Sequence, residues 1–255
     1  MPGPEYYKGK GSDVVLDDAF DVTSENGLQN KVISEALAGG ANYAQPSASL
    51  TNVSQVVEVG TVLPSVNLNV GFNQNDAGAA TAYRIEQDGQ VIANSAAHTV
   101  INLEAILGNI QFRGFVDHAA GPVKENDLGI EDTAGQIQAG TVQTPVRTIT
   151  GKLKIFFASA ASIPSNSAEV RSLANNVYAD QNTISFLASA VNNILVVPES
   201  KTLQSVVTAN NETLTGNFSM STLTVADAKG VLRTYRLYQQ TSALPLNVVL
   251  TATFS

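Results

Sequence analysis

From residue 66 the chain alternates: Val66, Leu68, Val70 and Phe72 are apolar, and Asn67, Asn69 and Gly71 stand between them. Successive side chains of a β-strand point to opposite faces, so this pattern predicts a half-buried strand. The stretch NQNDAG at 73–78 has the chemistry of a turn and ends the run. Residues 81–93 read as a hairpin, with Tyr83 and Ile85 on one arm, Asp88-Gly89 as the tight turn, and Val91 and Ala93 returning. The segment 101–116 is ambiguous between helix and strand, and a strand is favoured for Ile110, Phe112 and Val116. The polar span 117–140 is expected to be a loop at a domain tip. Strands resume over 141–159, where Val146, Ile149, Leu153, Ile155 and Phe157 supply inward side chains.

A helical period appears twice. Leu28, Val32 and Ala36 recur every fourth residue, with Ile33 and Leu37 beside them, and form one apolar stripe over 26–37. Asn26 suits an N-cap, and Gln29 stands where a capping box wants Glu or Gln. Asn166 and Glu169 repeat that signal, and Val170, Leu173, Ala174 and Val177 predict a second helix of about three turns. Beyond it, 194–200, 203–214, 221–239 and 244–255 are alternating or β-branched, with turns at Asn210-Asn211 and Lys229-Gly230. They read as part of a second β-domain of about five strands. Tyr83-Arg84-Ile85 and Tyr235-Arg236-Leu237 are alike, but the order of elements around them differs, which leaves little case for a duplication.

The expected fold is therefore mainly β: an N-terminal arm and short helix followed by two β-sandwich-like domains. Residues 1–50 hold the arm, the helix and a linker rich in Gly, Ala and Ser. The first β-domain spans 51–160 and the second 161–255. In the arm, the apolar run at 14–16 predicts one short strand.

Composition narrows the function. Of 255 residues, 44 % are apolar and only 14 % charged, against ~25 % charged in ordinary globular chains. Asn, Gln, Ser and Thr take the place of charge, as in sandwiches and fibrous β-assemblies. With 14 basic and 22 acidic residues, net −8, the chain offers no cationic stripe for phosphates, so nucleic acid is not an expected partner. No apolar run approaches the ~20 residues that span a bilayer, so no membrane insertion is expected. The first residues lack the apolar core of a secretory signal, which points to assembly in a cytoplasm. The chain has no cysteine, which removes thiol catalysis, disulfides and cysteine-ligated metals.

Candidate chemistry is sparse. His98 and His118 are the only histidines; each is expected on a polar surface loop, with the Asp117-His118 neighbours pointing apart. Asp117, Glu125, Asp127, Glu131 and Asp132 could offer oxygens to Ca²⁺, but their spacing is not that of an Asp-x-Asp-x-Asp-Gly loop and Lys124 intrudes, so no metal is expected. The turn at 73–78 is a weaker candidate for a cation or sugar. Tyr235 and Tyr238 lie three apart on a strand and face opposite sides, so they form no single sugar platform. No hydrolase elbow or zinc-protease motif is present, no cofactor is implied, and the chain is expected not to be an enzyme.

The element around residues 25–33 resembles one that recurs in fibres and appendages of tailed phages, reading Ser-x-Asn-Pro-Val-Gln-Asn-Lys-Val-Ile. Asn26, Gln29, Asn30, Lys31, Val32 and Ile33 match; Gly27 and Leu28 replace Pro-Val. Proline would pre-order the first helical turn and glycine loosens it. The stretches 147–159 with 164–173, and 224–240 with 247–255, are similar to virion proteins of phages of Bacteroidetes hosts, including the crAss-like group. The resemblance implies a virion structural protein, a homotrimer that also contacts other virion proteins and is built in the host cytoplasm. It implies no catalytic residue.

A helix of ~12 residues is marginal alone in water. Leu28, Val32, Ile33, Ala36 and Leu37 are therefore expected to pack against other copies of the chain, and Tyr6 and Tyr7 to anchor the arm on the particle. A capsid-decoration or head–tail connector protein, and a carbohydrate-binding module that attaches to host surface glycans, stand as alternatives. A polysaccharide hydrolase is the least favoured, since it needs two converging carboxylates.

Overall fold

The computed structural model describes residues 39–188, 192–241 and 247–255. The helix expected over 26–37, the strand at 14–16 and the Tyr6-Tyr7 pair lie outside the described residues.

The chain is mainly β. It opens with β1 (Ser47–Leu50), β2 (Gln55–Glu58), β3 (Val62–Asn73), β4 (Ala80–Gln87), β5 (Gln90–Ala93), β6 (Ala97–Glu104) and β7 (Gly108–His118). The short β8 (Lys124–Glu125) and β9 (Glu131–Asp132) precede β10 (Gly140–Gln143), β11 (Arg147–Lys152) and β12 (Lys154–Ala160). After the helix α1 (Ser167–Arg171) come β13 (Asn175–Tyr178), β14 (Thr183–Ala188), β15 (Asn192–Pro198) and β16 (Leu203–Thr208). A 3₁₀ turn at Thr215–Asn217 leads into β17 (Phe218–Ala226), β18 (Leu232–Gln240) and β19 (Val248–Phe254). By compactness the chain divides into two units. Of the described residues, the larger holds those of Ser49–Gly71, Tyr83–Phe115 and Thr144–Ser255; the smaller holds 39–48, Phe72–Ala82 and Val116–Gln143.

The first strands make two sheets, ordered β1-β3-β6 and β2-β11-β7-β4-β5, with β10 also on β7. β2 joins β11 in parallel, Gln55 opposite Ile149. The alternation read from the sequence sets what faces inward. Val66, Leu68 and Val70 of β3 are buried while Asn67, Asn69 and Gly71 are exposed. On β7 the buried row is Ile110, Phe112, Gly114 and Val116. The two rows meet: a Cβ on Gly114 would stand 2.6 Å from Val70 Cγ2 and 3.1 Å from Thr144 Cγ2. The hairpin turns at Asp88-Gly89, both with positive φ. Residues 101–104 belong to β6, and His98, expected on a loop, pairs opposite Leu68 on that strand.

The C-terminal part has three layers. Its sheets are β13-β12-β15-β18-β17 and β14-β19-β16. Between them lie Ile155, Phe157, Leu195, Val197 and Tyr238 from the first, against Ile184, Phe186, Leu250, Ala252 and Phe254 from the second. The other face of the five-stranded sheet is also covered, and Phe156, Ile194, Val196, Tyr235 and Leu237 pack there with Val170 of α1. Burial on both faces explains why Ile155-Phe156-Phe157 and Ile194-Leu195-Val196-Val197 are continuous apolar runs without alternation. β12 thus pairs with β13 and β15.

The N-cap of α1 forms as expected, with Asn166 Oδ1 accepting from Glu169 N at 3.0 Å and Glu169 Oε2 accepting from Ser165 N at 2.7 Å. The helix is shorter than its stripe implied: it ends at Arg171, and Val177 lies on β13. It survives because Val170 is sealed against the sheet, not because of length. Among the described residues, 161–255 holds seven strands rather than about five, since β13 and β14 gave too brief a pattern to be read, and β12, expected in the first domain, joins β13 in the five-stranded sheet. Tyr235 and Tyr238 do face opposite sides, and both are buried, one in each core.

Within the larger unit, the Glu58 carboxylate at the end of β2 ties the first sheets to this C-terminal part. It accepts from Arg171 Nη1 at 2.6 Å and Nη2 at 3.1 Å, and Lys154 Nζ lies 3.5 Å away. Close by, Ala228 N donates to Val59 O at 3.0 Å, and Asp227 orders its turn by accepting from Lys229 N, Val231 N and Arg233.

Candidate binding cleft

The smaller unit carries a hollow lined mainly by polar groups, and its walls follow from a tight crossing of two segments. Residues 74–77 turn sharply, with Asn75 at φ +46° and Ala77 N donating to Gln74 O at 2.9 Å. The segment 119–121 then passes directly over 76–78: Gly78 N donates to Ala119 O at 2.9 Å and Ala119 N to Ala79 O at 3.0 Å. A Cβ on Gly121 would sit 1.8 Å from Asp76 O, so only glycine allows the approach. Gly121 N also donates to Ile137 O at 2.8 Å, which brings back the segment 135–138. Between that segment, β10 and residues 45–46 lies an open cleft of about 330 Å³.

His118 forms part of its wall. It continues the inward row of β7, is only 6 % exposed, and stacks on Phe72 with ring centroids 5.9 Å apart. Nδ1 lies 2.9 Å from the Ala119 carbonyl oxygen. A carbonyl can only accept, so the neutral ring carries its proton on Nδ1 and leaves Nε2 as an acceptor. Nε2 is turned toward Gly140, where a Cβ would stand 3.6 Å from it. The rest of the lining is mostly amide and hydroxyl: Gln45, Gln136, Gln138 and Thr141. Thr141 Oγ1 donates to Asp117 Oδ1 at 2.5 Å, and Gln136 Nε2 to Gly121 O at 2.7 Å.

Residues 41–44 are strapped to the same unit. Asp132 Oδ2 accepts from Ala41 N at 2.8 Å; Tyr43 Oη donates to Asp132 O at 2.8 Å and accepts from Lys124 N at 2.7 Å. Lys124 Nζ reaches Asp76 Oδ2 at 2.7 Å and Asn42 O at 2.9 Å, beneath the Tyr43 ring. Asp76 also accepts from Ala44 N at 2.6 Å, and the Lys124 hydrogen bond, then this one, hold its carboxyl below the usual aspartate range.

The span 117–140 is therefore more than a loop. β8 and β9 form a ribbon, Asn126 Oδ1 accepts from Leu128 N and Ile130 N to close its tip, and β10 begins at Gly140. His118, expected at the surface, is buried because the period of two continues past Val116. That alternation was the signal for an inward histidine. Nothing in the sequence marked the three glutamines, of which Gln45 reaches the cleft from one segment and Gln136 and Gln138 from another. Asp117 is taken up by Thr141 and Asp132 by backbone amides. Among the described residues, no group of three or more His, Asp or Glu side chains could hold a metal ion. Leu28, Val32, Ile33, Ala36, Leu37, Tyr6 and Tyr7 lie outside the described residues. The chain matches no protein-family model and no curated protein.

Proposed function

We propose that this chain is a structural protein of a tailed-phage virion, a subunit of a trimeric head, neck or tail fibre or appendage. The observation that carries this reading is the element at residues 25–33, where Asn26, Gln29, Asn30, Lys31, Val32 and Ile33 stand as they do in phage appendages. The layered, mainly β architecture is compatible with a projecting part, and the strap at 41–44 ties the chain just after the stripe to a folded unit. In this reading Tyr6 and Tyr7 dock on neighbouring virion proteins. Leu28, Val32, Ile33, Ala36 and Leu37 bury one another across a threefold axis, each large side chain contributing about 1.5–3 kcal/mol.

Immunogold labelling of purified phage particles tests the assignment. Gold at regular positions on projections from the head, neck or tail is the expected result. Gold spread evenly over the shell supports a decoration protein instead, and unlabelled particles overturn the virion role.

A further inference from the structure

We infer that the cleft at His118 is a binding site for a neutral saccharide. Its volume, about 330 Å³, suits one or two sugar rings and falls at the lower end of small-ligand sites. The chemistry of its wall selects among ligands. Among the described residues no lysine or arginine lines the cleft, so an anion finds no charge partner there, and no group of three or more His, Asp or Glu side chains could hold a cation. A purely apolar ligand would strand the polar groups of Gln45, Gln138, Thr141 and His118.

Those groups match sugar hydroxyls, which both donate and accept. His118 Nε2 is an acceptor on a side chain only 6 % exposed, and it has no protein partner among the described residues. A hydroxyl is an uncharged ligand group that can donate to it, and unlike an amide N–H it can also accept from the neighbouring Gln45 amide. Gln138 Nε2 is spent on Gln136, which leaves Oε1 to accept, whereas the Gln45 side chain keeps both its donor and its acceptor. Thr141 gives its proton to Asp117 and keeps a lone pair. Pro46 supplies apolar surface for the C–H face of a ring. The imidazole is also held in place, stacked on Phe72 and fixed through Nδ1, so little ordering accompanies binding. This assignment extends an attachment role for the chain but does not rest on the virion reading.

Saturation-transfer NMR and calorimetry on the full chain, with mannose, galactose, N-acetylglucosamine and their disaccharides as neutral probes and sialic acid as the anionic one, test it. At least one neutral sugar should bind. Gly140→Val, whose added side chain meets His118 Nε2 at ordinary contact distance, should weaken that sugar at least tenfold with an unchanged melting temperature. Thr141→Val, on the exposed rim, should weaken it severalfold and guards against a misfolded Gly140 variant. The inference is overturned if none of the neutral sugars binds, whether or not sialic acid does, or if both variants bind like the parent. Sugar binding by a protein that labels no particle would leave the site intact and remove only the virion role.

Discussion

Val170 is the point at which the third layer of the C-terminal part stands or falls. It is fully buried, and α1 has only five residues, too few to be helical without that contact. Val170→Ala removes two carbons, about 1.6 kcal/mol at ~0.8 kcal/mol each. A residual hole of roughly 40 Å³ adds about 1 kcal/mol at ~24 cal/mol per Å³, for a total near 2.5 kcal/mol. Asn166→Ala removes the cap of the same helix and costs about 1 kcal/mol alone. In the Val170→Ala background it should cost clearly less, because a helix already loosened has less cap energy to lose. Urea unfolding followed by far-ultraviolet circular dichroism reads all three variants. A Val170→Ala loss below about 0.5 kcal/mol, or strict additivity of the two changes, would mean that α1 does not seal the sheet.

Two further outcomes concern pH. Burial pushes the Tyr235 phenol up to about 12 from its ordinary 10.0, so its ionisation favours the unfolded chain; stability should fall from about pH 10 through about pH 12, and Tyr235→Phe should remove that part of the fall, read as urea midpoints across the range. Asp76 has a lowered folded value, so its contribution is present above the ordinary aspartate value of 3.8 and is lost as the pH falls through the folded value. Amide exchange at Ala44, corrected for intrinsic rate, should therefore accelerate in acid, and Asp76→Asn should exchange fast at neutral pH and lose that dependence.

How plainly the sequence announces an element depends on how that element is buried. β3 and β7 were legible because each has one buried face, which stamps a period of two on the sequence. β12 and β15 are buried on both faces, so their runs declared a core but not which layers enclosed it. The cap at Asn166 is a local hydrogen-bond pattern and was visible; the length of α1 is set by Phe156, Ile194 and Tyr235 far along the chain, and was not. The cleft was the least legible feature. Its wall joins Gln45 to Gln138 and Thr141 through the crossing at Gly78 and Gly121, and no local pattern encodes that meeting. Only the inward phase of His118 was written in the strand itself.

Under the proposed function the stripe at 28–37 assembles copies of the chain, and the mass of the purified 255-residue protein in solution measures this. Static light scattering should give three times the mass of the 255-residue chain, and the double variant Leu28→Asp, Ile33→Asp should give the mass of one copy with its β-sheet circular dichroism retained. A parent protein that is already monomeric, or a variant that keeps the trimer mass, would contradict it.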